Sequence, residues 1–299
     1  MSEVKNLTGV ITALITPFSK NGDIDFDAMK VLMDFQIDNG VRSVVVCGST
    51  GEAMSMNEEE YESVISFCVE NYSKKLSIIA GLSSNNLSIC KSRLLFCQKI
   101  GVSAVLGVVP YYLRPSQKGI ELYFKELLNG SSVPFLIYDV PSRCAVSIEV
   151  ETVSRVMEIK NVIGIKDASG NLTRVRKIRE CAVKLGKKDF IMLSGDDDSF
   201  VDYCMLSGDG VISVVSNILP KEMVDICDAL HQKDYAKAME KFNGIQSIIS
   251  AMSIESNPIP VKFVLYKMGM VSHSFRLPLC QASMQNQSKI EGAIAGLIK

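Results

Sequence analysis

Histidine is scarce in this chain: among 299 residues only His231 and His273 are of that type. Each stands in a polar stretch near a helix or loop and is expected at the surface, which points away from a histidine-centred triad or a multi-histidine metal site. Paired cysteines are missing as well. The nine cysteines are an odd number with no CxxC among them. Such scatter argues against a disulfide framework or structural zinc and for a reducing cytosol, so a cytoplasmic protein is expected. Charge of one sign is not in excess either, since the formal net charge is -1 and the sequence pI about 6.2. That balance lends no support to general affinity for nucleic acid or anionic membranes, and small or protein-like partners are expected. No apolar run approaches a membrane span, and the opening MSEVKNLTGV has no apolar core of a secretory leader.

What the chain has is ample material for a core: 47% of its residues are hydrophobic and 22% charged. Eight short apolar, β-rich runs recur along it: Gly9–Leu14, Ser43–Cys47, Ser77–Ala80, Ala104–Val109, Pro134–Tyr138, Val162–Lys166, Phe190–Ser194 and Gly210–Val214. Between them lie helix-like segments such as Asp27–Asn39, Asn57–Asn71, Asn86–Ile100, Ser116–Leu128, Ile148–Glu158, Asn171–Leu185 and Ser199–Leu206. Asn57 is a favoured cap, and the three glutamates after it complement a helix dipole. Parallel strands need crossovers and read as continuous apolar runs, so eight such repeats predict an α/β fold, a (β/α)8 TIM barrel. An open doubly wound sheet is the competitor, disfavoured because no Gly-rich dinucleotide fingerprint follows the first run.

The barrel is expected over residues 1–220, with residues 221–299 forming a helical extension packed on it. Glu222–Leu230, Tyr235–Met252, Pro258–Met268 and Ser283–Ile298 carry its helical periodicity, and no low-complexity linker sets it apart.

In a barrel the reactive groups sit at the C-terminal ends of the strands. That rule selects Gly48–Glu52 (GSTGE), Pro110–Tyr112, Tyr138–Arg143 (YDVPSR), Lys166, Ser194–Asp197 and Ile212–Ser213. Lys166 closes a β-branched run in NVIGIKDASGN. Burial disfavours an ammonium, and a neutral amine is a nucleophile towards carbonyls, which suggests a Schiff-base lysine. The plainer alternative is a strand-end lysine reaching water or pairing with Asp167. The GSTGE segment offers hydroxyls and backbone amides to a carboxylate, although any tight turn uses the same residues. Tyr138, one strand away, is within reach for proton transfer or is simply a core aromatic. Arg143 is the best anion anchor of the set, although a lone loop arginine is usually just solvated. Asp196, Asp197 and Asp198 are expected to cap the helix at Ser199–Leu206 rather than bind a metal, since three adjacent loop carboxylates do not converge on one ion.

GSTGE, PYY with RPS, YDVPSR, GIKDASGN and LSGDD, in this order, resemble the dihydrodipicolinate synthase family, within the pyruvate-dependent class I aldolase superfamily that also holds N-acetylneuraminate lyase. The resemblance implies a lyase joining pyruvate to L-aspartate 4-semialdehyde through an imine on Lys166, in lysine and diaminopimelate biosynthesis, without metal or organic cofactor. It implies proton transfer by Tyr138, a hydroxyl relay through Ser49 and Tyr112, and pyruvate contacts from Thr50 and Ile212. Arg143 would hold the relay and the second substrate's carboxylate, and Gly195 would touch substrate. The family usually has threonine where Ser49 stands, so looser relay geometry is expected. Tyr112 would come across a dimer interface within a homotetramer, a dimer of dimers. Of the residues that bind the feedback inhibitor in lysine-sensitive members, Asn85 and Tyr111 are shared, but Glu58, Tyr61 and Ile89 depart, so weak or absent inhibition by lysine is expected. A sibling aldolase acting on a 2-keto-3-deoxy sugar acid such as N-acetylneuraminate is the alternative, disfavoured by Arg143. A barrel that has lost catalysis is a further one, against which Lys166, Tyr138 and Thr50 stand together.

Overall fold

A computed structural model describes residues 7–296. Eight parallel strands close into a barrel in sequence order: β1 (Gly9–Ala13), β2 (Ser43–Val46), β3 (Ser77–Leu82), β4 (Ala104–Val108), β5 (Phe135–Asp139), β6 (Val162–Asp167), β7 (Ile191–Ser194) and β8 (Gly210–Ser213). Each lies within two residues of its sequence-predicted run, because a strand buried on both faces needs an unbroken apolar stretch and little else. All strand residues are buried except Ile163, which is half-buried. The ring is closed by β1 against β8, Gly9 opposite Gly210. Asn217 fastens that seam, its amide donating to the Ala13 carbonyl at 2.8 Å while its oxygen accepts from the Ile15 N–H at 3.2 Å.

Helices α1 (Phe26–Asp38), α2 (Glu58–Tyr72), α3 (Leu87–Ile100) and α4 (Gln117–Leu127) begin where short polar side chains stand, capped by Asp25, Asn57, Asn86 and Ser116. Asn57 and Glu60 form a reciprocal capping box. A one-turn α5 (Pro141–Cys144), α6 (Val150–Met157), α7 (Thr173–Lys184), α8 (Phe200–Met205) and α9 (Pro220–His231) follow, with α9 packed against β1.

Beyond α9 come α10 (Tyr235–Gly244), α11 (Gln246–Ala251), α12 (Ile259–Lys267) and α13 (Met284–Ile294). The predicted helix Tyr235–Met252 is in fact two, parted at Ile245. The predicted Ser283–Ile298 is helical over Met284–Ile294, and residues 297–298 lie outside those described. His273 also departs from expectation. It stacks on Tyr266 at 4.8 Å between Phe263 and Phe275, and burial lowers its pKa.

Candidate active site

Side chains alternate along a strand, so neighbours on parallel strands present like faces. Tyr138 of β5 and Lys166 of β6 are register partners and both point into the mouth of the barrel, as do Thr50 and Ile212. Lys166 is 5% exposed, and its Nζ lies 4.3 Å from the centre of the Tyr138 ring. Lys166 is thus buried rather than extended into solvent, and the Asp167 carboxylate faces Arg174. A tight cleft around Lys166 is lined by Ser49, Thr50, Tyr138 and Ile212, and it opens into a cavity of ≈ 410 Å³ bordered by Arg143, Gly195, Asp196 and Asn257.

The next register pair, Asp139 with Asp167, points the other way, between strands and helices. Arg174 of α7 answers both carboxylates, at 2.7 Å to Asp139 and 3.5 Å to Asp167, and donates to the Ile148 carbonyl at 2.6 Å. Burial pushes the Asp139 carboxyl above its ordinary range against the pull of Arg174. This ion cluster, directly behind Tyr138 and Lys166, fixes the ends of both strands. Sequence reasoning missed it, because an arginine within TRVRKIRE looks like any solvated helix charge.

The GSTGE loop is bracketed by two non-glycine residues with left-handed backbone, Cys47 and Glu52, both at φ 54°. Each costs about 1–3 kcal/mol, so the surroundings must hold the loop in place. They hold it from three sides. Gly81 of β3 lets the loop pass, since a Cβ there would stand 2.3 Å from the Cys47 carbonyl oxygen. Lys262 of α12 donates to Glu52 at 2.6 Å, an ion pair with Lys262 fully buried above the rings of Phe18 and Phe275. Burial moves that ammonium below the usual lysine value although Glu52 draws it up. Finally Asn257, just before α12, donates from Nδ2 to Thr50 Oγ1 at 2.8 Å. Its backbone carbonyl accepts from Arg143 at 3.2 Å. The signal for Lys262 was present in the sequence: a lone cation inside IPVKFVL, a run too apolar for a surface helix.

The three aspartates after β7 do not cap α8, whose N-terminal Ser199 makes no side-chain cap either. Asp197 turns inward, its carboxylate accepting from the Val214 and Val215 N–H groups at 2.9 and 3.0 Å, and thereby pins the end of β8 beside Ile212. Asp196 lines the cavity, where desolvation raises its pKa to about 6 although Lys166 pulls it down. Asp197 thus serves the first N–H groups of the short 3-10 turn after β8 rather than the start of α8. Gly195 is required by close approach: a Cβ there would meet the Ala168 Cβ at 2.5 Å.

Tyr112 is not brought to the site within this chain. It is 86% exposed, adopts φ 70° and lines neither cavity. Of the departures noted around Asn85 and Tyr111, Glu58 is paired with Arg93 at 2.7 Å. Tyr61 is fully buried, bonded to the Gly81 carbonyl at 3.1 Å, with Arg93 over its ring.

The Dihydrodipicolinate synthetase family matches the chain over residues 6–296. A protein of Nitratidesulfovibrio vulgaris named 4-hydroxy-tetrahydrodipicolinate synthase is 39% identical over 290 residues, covering 96% of this chain and 97% of its own. The crystal structure of dihydrodipicolinate synthase from Aquifex aeolicus superposes with a TM-score of 0.94 at 34% identity, over 98% of this chain and 99% of that one. The enzyme of Cyanidioschyzon merolae, crystallised with lysine bound, superposes with a TM-score of 0.93 at 29% identity, over 98% and 99%.

Proposed function

This chain belongs to the dihydrodipicolinate synthetase family, and from that premise we propose how its residues share the work of a 4-hydroxy-tetrahydrodipicolinate synthase. It is a lyase of the class I aldolase type that joins pyruvate to L-aspartate 4-semialdehyde. Enzymes of this family need no cofactor. The names of the relatives given above favour this reading over the sugar-acid alternative.

In the proposed sequence the free amine of Lys166 attacks C2 of pyruvate, and loss of water leaves an imine whose protonated nitrogen is an electron sink. A methyl proton departs and gives the enamine. Its carbon attacks the aldehyde carbon of the second substrate, and the aldehyde oxygen takes a proton to become the 4-hydroxyl. The substrate's own amine then adds to the imine carbon, closing the ring and expelling Lys166. Tyr138, whose ring faces the amine, moves protons at these steps, with Ser49 and the partner subunit's tyrosine at position 112 as the path to solvent. Thr50 Oγ1 and the loop amides meet the pyruvate carboxylate, with Ile212 beside them. Arg143, at the rim of the cavity, takes the carboxylate of the aldehyde substrate, which passes Gly195 on entry.

One observation carries this reading: a lysine 5% exposed, with no ion pair to a carboxylate among the described residues, set at the floor of a cavity against a tyrosine ring. Incubation with pyruvate and borohydride, followed by peptide mass spectrometry, is expected to place a reduced pyruvyl adduct on Lys166, absent in Lys166→Ala. An unlabelled Lys166 would end the proposal. A homotetramer built from dimers is supported by Tyr112, Leu113 and Met54, all large, apolar in part and at least half exposed. Work in a reducing cytoplasm agrees with nine free thiols, and no helix among the described residues is long and apolar enough to cross a membrane.

A further inference from the structure

The turn before α12 and α12 itself reach the loop that presents Thr50 at two points, through Asn257 to Thr50 and through Lys262 to Glu52. A threonine hydroxyl has one hydrogen to give and two lone pairs to receive. Because Asn257 Nδ2 donates into Thr50 Oγ1, one lone pair is taken and the hydroxyl hydrogen is left to turn elsewhere. Thr50 is 3% exposed and its open side is the cleft around Lys166. An anion entering that cleft therefore meets a donor whose direction has been set beforehand. The ion pair below it keeps Glu52 in its left-handed conformation and so keeps the loop from relaxing away.

We propose that Asn257 is a positioning residue for the pyruvate step: its side-chain amide orients the Thr50 hydroxyl towards the pyruvate carboxylate, on a loop that Lys262 anchors from α12. This rests on the reading that Thr50 meets that carboxylate. Asn257 touches Arg143 only through its backbone carbonyl, which survives truncation of the side chain. The two substrates are thus separable at this residue.

The test is steady-state kinetics with both substrates varied, on Asn257→Ala, Thr50→Val and the double variant, each checked for an unchanged melting curve. A hydrogen bond to a charged group lost from binding raises KM roughly tenfold or more. Asn257→Ala is expected to raise the KM for pyruvate by about tenfold with kcat within about twofold and the KM for aspartate semialdehyde unchanged. In the Thr50→Val background the same truncation is expected to add less than about twofold, because it acts through a hydroxyl already removed. A multiplicative double variant, a rise in the KM for the aldehyde instead, or an unchanged KM for pyruvate in Asn257→Ala overturns the proposal. A fall in that KM overturns it too, by showing that the amide draws the hydroxyl hydrogen away from the cleft. If Thr50→Val itself leaves the KM for pyruvate unchanged, the assignment of Thr50 fails first, whatever Asn257 does.

Discussion

Tyr138 and Lys166 occupy one rung of the β5–β6 ladder, and the lysine amine rests 4.3 Å from the centre of the tyrosine ring. Tyr138→Phe retains that ring and removes only the hydroxyl. The KM for pyruvate should stay near its starting value while kcat falls by about 10²–10⁴, the usual yield of positioned acid–base catalysis. Steady-state assays of the variant measure the split, and an unimpaired kcat would remove Tyr138 from proton transfer.

The Glu52–Lys262 pair is buried at both ends, and Glu52 Oε2 has no hydrogen-bond partner. Lys262→Met should cost about 3–5 kcal/mol of stability, because it leaves a buried carboxylate without its counter-charge. Adding Glu52→Gln should restore a large part of that loss. Urea denaturation of the two variants reads the difference directly.

Asp196 titrates at about 6 in the folded protein, raised from 3.8 chiefly by desolvation. A carboxyl with a raised folded pKa contributes stability that is full below the unfolded value and is lost as pH rises through the folded one. Asp196→Asn, neutral throughout, should therefore gain in melting temperature over the parent between pH 4 and pH 7. Melts across this range that stay parallel would contradict it.

Inhibition by lysine should be absent or weak. Glu58 is already engaged by Arg93, Tyr61 is enclosed, and Ile89 offers nothing to an ammonium. A dose–response curve should be flat at sub-millimolar lysine, in contrast to a relative able to hold lysine in its crystals.

Leu113 and Tyr112 are 64% and 86% exposed on the face where a partner subunit is proposed. Leu113→Glu should shift sedimentation towards smaller species and lower kcat as the relay tyrosine is lost. A variant that stays assembled and fully active would detach Tyr112 from the mechanism.

The strands were legible because a doubly buried strand must be apolar throughout, as VIGIK is, and the helix starts because Asn57, Asn86 and Ser116 are caps of obvious chemistry. Strand ends then put Lys166, Tyr138 and the loop of Thr50 on a short list, and the resemblance of the motifs singled them out from it. The break at Ile245 was hidden, since apolar periodicity runs through it. Asp197 was misread as a cap of α8 because a carboxylate ahead of a helix looks the same whether it serves that helix or the turn that follows the next strand. Contacts such as Asp139 with Arg174, or Thr50 with Asn257, leave no local pattern at all: they are set by which loops and helices the closed ring brings together.

Thr50 and Asn257 stand 207 positions apart, and Glu52 and Lys262 are separated by 210. During synthesis the lysine and tyrosine of the ring emerge well before the segment that steadies the loop of Thr50. A pared-down barrel ending at residue 220 would carry Tyr138 and Lys166 yet lack both contacts to the Thr50 loop, so on the proposed reading the tail takes part in the chemistry and is no ornament to be trimmed.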